Sequence, residues 1–263
     1  MNLDLAAICG GHPLAGRETA GPDGATAELF LGRPWVLCPS SSTSHHARDA
    51  VARLAVDCGS ETVVMSPEQH DRAVALVSHL PQVAASAVAA RLLASSAEEV
   101  AVSGPGLHDT TRIAASDPGL WSDVLSGNAA YVAPLVRDLA GDLARFADAL
   151  TDLGTGAPGS GSSLGVVTDL LERGNRGREL VPVKRGEHDR DFTSVAVAVP
   201  DKPGQLAAVF ACAAEAGVNI EDVRVEHLPG RPTGVLELLV QEIERVQLHR
   251  ALAAEGFEVL RPL

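Results

Sequence analysis

Ser66-Pro67-Glu68-Gln69-His70-Asp71-Arg72-Ala73-Val74-Ala75-Leu76-Val77-Ser78-His79-Leu80-Pro81 is the stretch at which the chain changes character. Before it, short apolar runs are separated by Gly, Pro and Ser. After it the pattern is helical, with an Ala-rich run from Ala73 to Ala94 and a second long segment from Ala129 to Leu153. Ser66 as N-cap and Pro67 at the first helical position predict where the first helix starts. Pro81 falls inside the periodic pattern. It has no N–H, and its ring meets the carbonyl one turn back, so the spacing predicts a kink or break just after His79. Such a break can aim side chains into a cleft.

Upstream, Leu5–Cys9, Trp35–Cys38 and Thr62–Met65 read as short buried strands. Between the last two, Ala47, Val51, Leu54 and Ala55 mark one face of a helix over His46–Cys58. The resulting β, β, α, β order is a fragment of an α/β sheet. Met1 lies two residues before a buried run, which predicts further sheet elements upstream of it.

Downstream, Gly154–Gly165 (GTGAPGSGSSLG) reads as a flexible linker. Its formal G-x-G-x-x-G follows a helix rather than a strand, so a dinucleotide fingerprint is not expected from it. A short helix over Val166–Arg173 and a charged, irregular stretch over Gly174–Asp191 follow. From Phe192 the pattern alternates again. Val195, Val197 and Val199 predict a strand, and Leu206, Val209, Phe210 and Ala213 a helix. Val223 with Val225, then Leu236, Leu238 and Val240, predict two further strands. Leu248, Ala251 and Leu252 form a second helical stripe before Phe257–Leu260. The order is the ferredoxin-like βαββαβ, with a turn at Pro229-Gly230-Arg231-Pro232. The expected organisation is an α/β remnant over 1–65, an all-α domain over 66–182, a linker over 183–191 and a βαββαβ domain over 192–263.

Hydrophobic residues make up 46% of the 263 residues but aromatics only 3%, which calls for packed Ala, Val and Leu. A formal charge of -13 disfavours a nucleic-acid partner, because such binding draws on Lys and Arg neutralising phosphates. Cys9, Cys38, Cys58 and Cys212 form no C-x-x-C pair and read as buried small residues in a reduced compartment. Neither a signal segment nor an apolar run near 18 residues is apparent, so no membrane span is expected and the default location is the cytoplasm. His45, His46, His70 and His79 show no metal-ligand spacing, and no metal is expected.

Three blocks carry the chemistry. Gly10-Gly11-His12-Pro13-Leu14-Ala15-Gly16-Arg17-Glu18 puts a histidine among glycines at the expected carboxyl end of a strand, where open α/β sheets bind ligands. His70-Asp71 through Ser78-His79-Leu80-Pro81 is the second. Asp109-Thr110-Thr111-Arg112-Ile113-Ala114 with Asp117-Pro118-Gly119-Leu120-Trp121 is the third. In this order they resemble the prephenate dehydrogenases, whose patterns run G-x-H-P-x-A-G-x-E, H-D-x-x-x-A-x-x-S-H-L-P and D-x-T-R-I-A-x-x-x-P-x-x-W. The resemblance implies NAD-dependent oxidative decarboxylation of prephenate in tyrosine biosynthesis, by a homodimer. His12 would be the general base, Arg112 would hold a substrate carboxylate and Asp109 would orient that guanidinium. His79 and Trp121 would line the pocket, with Glu18 near its mouth. Imidazole suits the base because its pKa lies near neutrality, and the guanidinium fork suits a carboxylate. His70-Asp71 reads as stabilising its helix start. Where many relatives have a further histidine after S-H-L-P, this chain has Gln82, which cannot titrate. The resemblance also places a glycine-rich nucleotide-binding turn ahead of Met1, so it leaves NADP beside NAD, and arogenate beside prephenate.

The C-terminal block, Asp201-Lys202-Pro203-Gly204-Gln205-Leu206 with Gly217-Val218-Asn219-Ile220, resembles an ACT domain. That resemblance implies an amino-acid effector, L-tyrosine above all, near Gly204, Asn219 and Ile220. The alternative is a catalytically inactive chain acting as an amino-acid-sensing or dimerising partner.

Overall fold

The computed structural model describes residues 4–16, 24–156, 160–181, 192–227 and 232–260. They fall into two compact units, residues 1–172 and 173–263.

The first unit opens differently from expectation. Leu5–Ala7 is a 3-10 turn whose cap, Asp4, accepts the Ala6 N–H, and Leu5 and Ile8 are exposed. The strand comes later, as β1 (Gly10–Pro13). It runs antiparallel to β2 (Pro34–Cys38), with His12 opposite Val36. His12 therefore lies near the carboxyl end of a strand as expected, but of one that starts at Gly10 rather than at Leu5. The local cause is that Asp4 closes the turn while the side-chain-free Gly10 and Gly11 pair with Cys38 and Leu37. Helix α1 (His45–Asp57), capped by Ser44, crosses to β3 (Glu61–Val64), which is parallel to β2. Val36, Leu37, Ala47 and Ala55 are buried, whereas Leu54, Val63 and Val64 are exposed. Of the cysteines only Cys212 is buried; Cys9, Cys38 and Cys58 are partly exposed, against the expectation for all four.

Helix α2 (Pro67–Val74) begins with a full capping box between Ser66 and Gln69. The break predicted at Pro81 does not occur. Instead Ala75–His79 widens into a π-helical turn, in which Leu80 donates to the Ala75 carbonyl, and the helix continues as α3 (Leu80–Arg91). The wider turn accommodates the proline ring and its missing donor without ending the helix. The continuous helix Pro67–Ala94 is 28 residues long and has an 18-residue window of mean hydropathy 1.5, long and apolar enough by length and composition to cross a membrane. This differs from the expectation that no such run is present. His79 and Gln82 interrupt the run and disguise it in the sequence, and both side chains are buried within the unit.

Four further helices follow: α4 (Ala97–Ala101), α5 (Pro105–Thr111), α6 (Pro118–Gly127) and α7 (Ala129–Thr155). Gly156, at φ 64°, ends α7 in the left-handed conformation that glycine tolerates. Helix α8 (Ser160–Glu179) takes up the second half of the expected linker and extends beyond the short helix expected at Val166–Arg173.

In the second unit β4 (Phe192–Pro200), α9 (Gln205–Glu215), β5 (Asp222–His227), β6 (Thr233–Gln241), α10 (Arg245–Ala254) and β7 (Glu258–Val259) follow one another. The sheet order is β5-β6-β4-β7 and every pairing is antiparallel, the arrangement of a βαββαβ split sheet. Alternate residues of β4 and β6, Val195, Val197 and Val199 with Leu236, Leu238 and Val240, pack on Val209, Cys212, Leu248 and Leu252. Glu18, the linker 183–191 and all of the expected turn except Pro232 lie outside the described residues.

Candidate active site

His12 is held by β1 and its ring faces α2. Its Nδ1 lies 2.7 Å from His70 Nε2, with the two rings edge to face and centroids 5.0 Å apart. His70 Nδ1 in turn lies 2.9 Å from Asp71 Oδ1. The capping box at Ser66 fixes the start of α2 and so places both residues in its second turn. The pair thus does more than stabilise a helix start, the role its sequence position suggests.

His79 ends the π-helical turn and is buried. Asn128, also buried, has its Nδ2 3.2 Å from His79 Nδ1 and donates to the Asp71 carbonyl at 2.8 Å. Its side chain makes no capping bond to α7, which it precedes. Trp121 sets its ring edge to face with His79, at 6.0 Å between centroids. It is carried there by α6, which Asp117 caps and Pro118 starts. Thus His12, His70, Asp71, His79, Asn128 and Trp121 form one connected group.

Burial, followed by the neighbouring imidazoles of His70 and His79, pulls the His12 pKa below its ordinary value. Burial and His70 lower that of His79, with Asp71 opposing. Both imidazoles are therefore biased toward the neutral form near pH 7, the form that accepts a proton.

Asp109 lies on α5 and Arg112 opens the 3-10 turn Arg112–Ala114 that follows it, both exposed. These elements pack on α3. The buried Gln82 of α3 reaches the same region, its Oε1 accepting from Ser116 Oγ at 3.5 Å while its Nε2 donates to Ser86 Oγ at 3.4 Å. Asp109 and Arg112 are one helical turn apart, a spacing that lets their side chains meet.

No group of three or more His, Cys, Asp or Glu among the described residues is arranged to hold a metal ion. Nor is there, among them, a glycine-rich turn between strand and helix to cradle a pyrophosphate. β2 joins α1 through Pro39–Ser44, where Ser40 bonds to Thr43 and Ser44 caps Ala47. Trp35 and Val51 close the Cβ side of Gly11, so among the described residues the exposed His12 imidazole is the group that would adjoin the reactive end of a dinucleotide, and a phosphate-binding turn is not among them.

In the second unit Gly204, at φ 87°, precedes α9 without a side-chain cap. Asn219 donates to the Glu221 carboxylate, and Ile220 packs against the core. An open cavity of about 710 Å³ borders α9 and β7, with Ala198, Gln205, Cys212, Thr233 and Phe257 in its lining. Gly204, Asn219 and Ile220 are not among its lining residues.

Of the residues singled out from sequence, His12, His79 and Trp121 are brought together. His70, Asp71 and Asn128 join them without having been expected there. The His-Asp pair one turn into a capped helix was a usable signal, but Asn128, 57 residues beyond Asp71, was not.

A three-stranded α/β element and a helical array meet at a histidine cluster, an arrangement compatible with an α/β oxidoreductase. Two family profiles match the chain: "Prephenate dehydrogenase, nucleotide-binding domain" over residues 2–64 and "Prephenate dehydrogenase, dimerization domain" over 66–154. The probable prephenate dehydrogenase NovF of Streptomyces niveus is 33% identical over 91% of this chain and 67% of its own length. The cyclohexadienyl dehydrogenase of Zymomonas mobilis is 36% identical over 57% of this chain and 52% of its own. Among solved structures, prephenate dehydrogenase from Aquifex aeolicus in complex with hydroxyphenyl propionate and NAD+ superposes with TM-score 0.55 at 29% identity, over 65% of this chain and 58% of that one. The chain belongs to the prephenate dehydrogenase family of oxidoreductases. It spans about two thirds or less of the length of these relatives.

Proposed function

We propose that this chain carries the substrate side of an NAD-dependent prephenate dehydrogenase, converting prephenate to 4-hydroxyphenylpyruvate and carbon dioxide in the cytoplasm. The observation that carries the reading is the orientation of His12: its Nδ1 is engaged by His70, which leaves Nε2 for a substrate hydroxyl. His12 takes the hydroxyl proton as the carbon beneath it is oxidised. Arg112, oriented by Asp109, holds a carboxylate of the substrate through paired charge-assisted bonds. His79 and Trp121 wall the ring, and the family resemblance assigns Glu18 to the entrance. Nicotinamide, when bound, supplies the hydride acceptor. NAD+ is the nucleotide bound to the Aquifex aeolicus relative, and the nucleotide-binding profile covers residues 2–64.

Two further assignments belong to the same reading. Exposed apolar side chains on the helical array, among them Val77, Leu93, Val102 and Leu143, fit pairing with a second copy, as does the match to a dimerization-domain profile. The βαββαβ unit acts as an ACT domain sensing L-tyrosine. Gly204 there leaves the first N–H groups of α9 without a side-chain partner, a setting that favours a carboxylate.

The test is turnover of the full chain with NAD and prephenate, followed by NADH absorbance and product identification, beside calorimetry with 4-hydroxyphenylpropionate alone. Turnover that falls at least about 100-fold in His12→Asn, with analogue binding lost in Arg112→Gln, supports the reading. Absence of both turnover and analogue binding, or an active His12→Asn, overturns it. Calorimetry with L-tyrosine tests the effector separately, with loss of binding expected on Gly204→Val.

A further inference from the structure

The pairing of His12 with His70 is unusual in needing a donor and an acceptor from two groups of the same kind. Each neutral imidazole has one N–H and one lone pair, so the direction of the bond is set from outside. Asp71 sets it. Its carboxylate only accepts, so His70 Nδ1, at 2.9 Å, must carry the proton. His70 Nε2 then holds the lone pair and accepts from His12 Nδ1–H at 2.7 Å. The lone pair of His12 is left on Nε2.

We propose that Asp71 and His70 are positioning residues for the reaction: an Asp–His–His chain that fixes the tautomer and ring orientation of His12 so that Nε2 is the base. The inference rests on the role of His12 under the proposed function. The same logic, in which a carboxylate acceptor decides which nitrogen of a second group is free, operates in hydrolase triads, although the Asp71 side chain is 47% exposed. Three features of the site support it. His70 is well shielded, its side chain 16% exposed. Asp71 is anchored through its backbone, because its carbonyl accepts from both Ala75 N–H and Asn128 Nδ2. The two rings meet edge to face, so the bond lies in the plane of the donor ring's edge rather than over its face. His79, Asp71 and His70 are the titratable groups that act on this cluster from α2 and the π-helical turn, and Cys38, whose thiol pKa is raised by burial and then by Asp71, faces it from the β2 side.

Asp71→Asn is the informative change. An asparagine can present its N–H₂ to His70 Nδ1, which moves the His70 proton to Nε2 and turns the bond to His12 around. His12 then keeps its proton on Nε2 and loses its base. The first readout is nitrogen NMR of the histidine-labelled full chain at pH 8, which reports the protonated nitrogen of His12 without substrate or cofactor. The second is steady-state turnover of prephenate with NAD. We expect the His12 proton on Nδ1 in the parent and on Nε2 in Asp71→Asn. With turnover, kcat should fall by about 100-fold or more, the scale of general-base catalysis, with KM within about threefold. His70→Phe, which removes the acceptor, should leave His12 in a mixture of tautomers. It serves equally if Asp71→Asn does not fold. A parent His12 protonated on Nε2, or a tautomer unmoved by either substitution, overturns the proposal whatever the enzyme's activity. An ordered tautomer in a chain that does not turn over prephenate would instead count against the proposed function alone.

Discussion

Asn128→Ala should destabilise the first unit by about 2–4 kcal/mol, because one side chain holds two otherwise separate parts of the site. Asn128 is 8% exposed, its Nδ2 lies 3.2 Å from His79 Nδ1, and it donates to the Asp71 carbonyl at 2.8 Å. The two acceptors respond differently to its loss. The Asp71 carbonyl keeps the helical bond from Ala75 N–H, so that loss is of one ordinary bond, roughly 1 kcal/mol. Among the described residues no second hydrogen-bond partner reaches His79 Nδ1, and a buried acceptor left without its partner costs about 1–3 kcal/mol. Because Asn128 makes no side-chain cap to α7, no helix-end contribution adds to the sum. For a unit of this size the shift corresponds to a fall in Tm of roughly 4–16 °C. Urea and thermal unfolding followed by far-UV circular dichroism and by tryptophan fluorescence would measure it, alongside KM for prephenate, which should rise as His79 loosens. A change below about 0.5 kcal/mol, the scatter expected of an ordinary surface substitution, would refute the argument that Asn128 ties His79 to α2.

Three other perturbations test separate parts of the site. Arg112→Lys exchanges a two-pronged contact for a point charge, so KM for prephenate should rise about 10-fold to 100-fold, equivalent to one charge-assisted bond; unchanged kinetics would remove Arg112 from the substrate contacts. Burial lowers the pKa of both His12 and His79, so the folded state binds fewer protons than the unfolded one below the unfolded value of about 6.5. Stability is thus fully present above about pH 6.5 and is lost as pH falls through the lowered folded values. The urea midpoint should be lower at about pH 5.5 than at about pH 7.5, on either side of the unfolded value, and His79→Gln should shrink the difference; a midpoint higher on the acid side would reverse the assigned sign. Gly11→Ala would place a Cβ 2.9 Å from Trp35 Nε1 and 3.3 Å from Val51 Cγ1. With no room to yield except by moving the indole, it should destabilise by about 1–3 kcal/mol and lower turnover through the adjacent His12, to be read by thermal unfolding and kcat together.

The second unit is legible in the sequence almost element by element because its strands are buried on one face. Val195, Val197 and Val199 alternate in the sequence and are all buried, as are Leu236, Leu238 and Val240. The first unit is less so. Leu5-Ala6-Ala7-Ile8-Cys9 has the composition of a buried strand, yet forms a turn with Leu5 and Ile8 exposed. An apolar run this short has no period to distinguish its states, and here Asp4 decides the matter through a single bond to Ala6 N–H. The residue types of the site can be named from their pattern, since His12, His79 and Trp121 do converge. The partners that orient them cannot, because the contacts of Asn128 with Asp71 and His79 are fixed only by tertiary packing.

The π-helical turn explains why His70 is easily passed over in the sequence. In a regular α-helix nine residues at about 100° each would put His79 roughly 180° around the helix from His70, and a residue on the far side of a helix has no part in the chemistry of the near side. Ala75–His79 is wider than an α-turn, with its closing bond reaching five residues back from Leu80 to Ala75, so each residue advances by less than that angle and part of the half-turn is taken back. His70 and His79 accordingly lie close enough to depress the affinity of His79 for a proton, and Asn128 reaches both the Asp71 carbonyl and His79. Pro81 is the residue that makes a regular turn unfavourable at this point. The proline whose position suggests the end of a helix thus sets its phase, and through that phase joins the His12–His70–Asp71 chain to the His79–Trp121 wall.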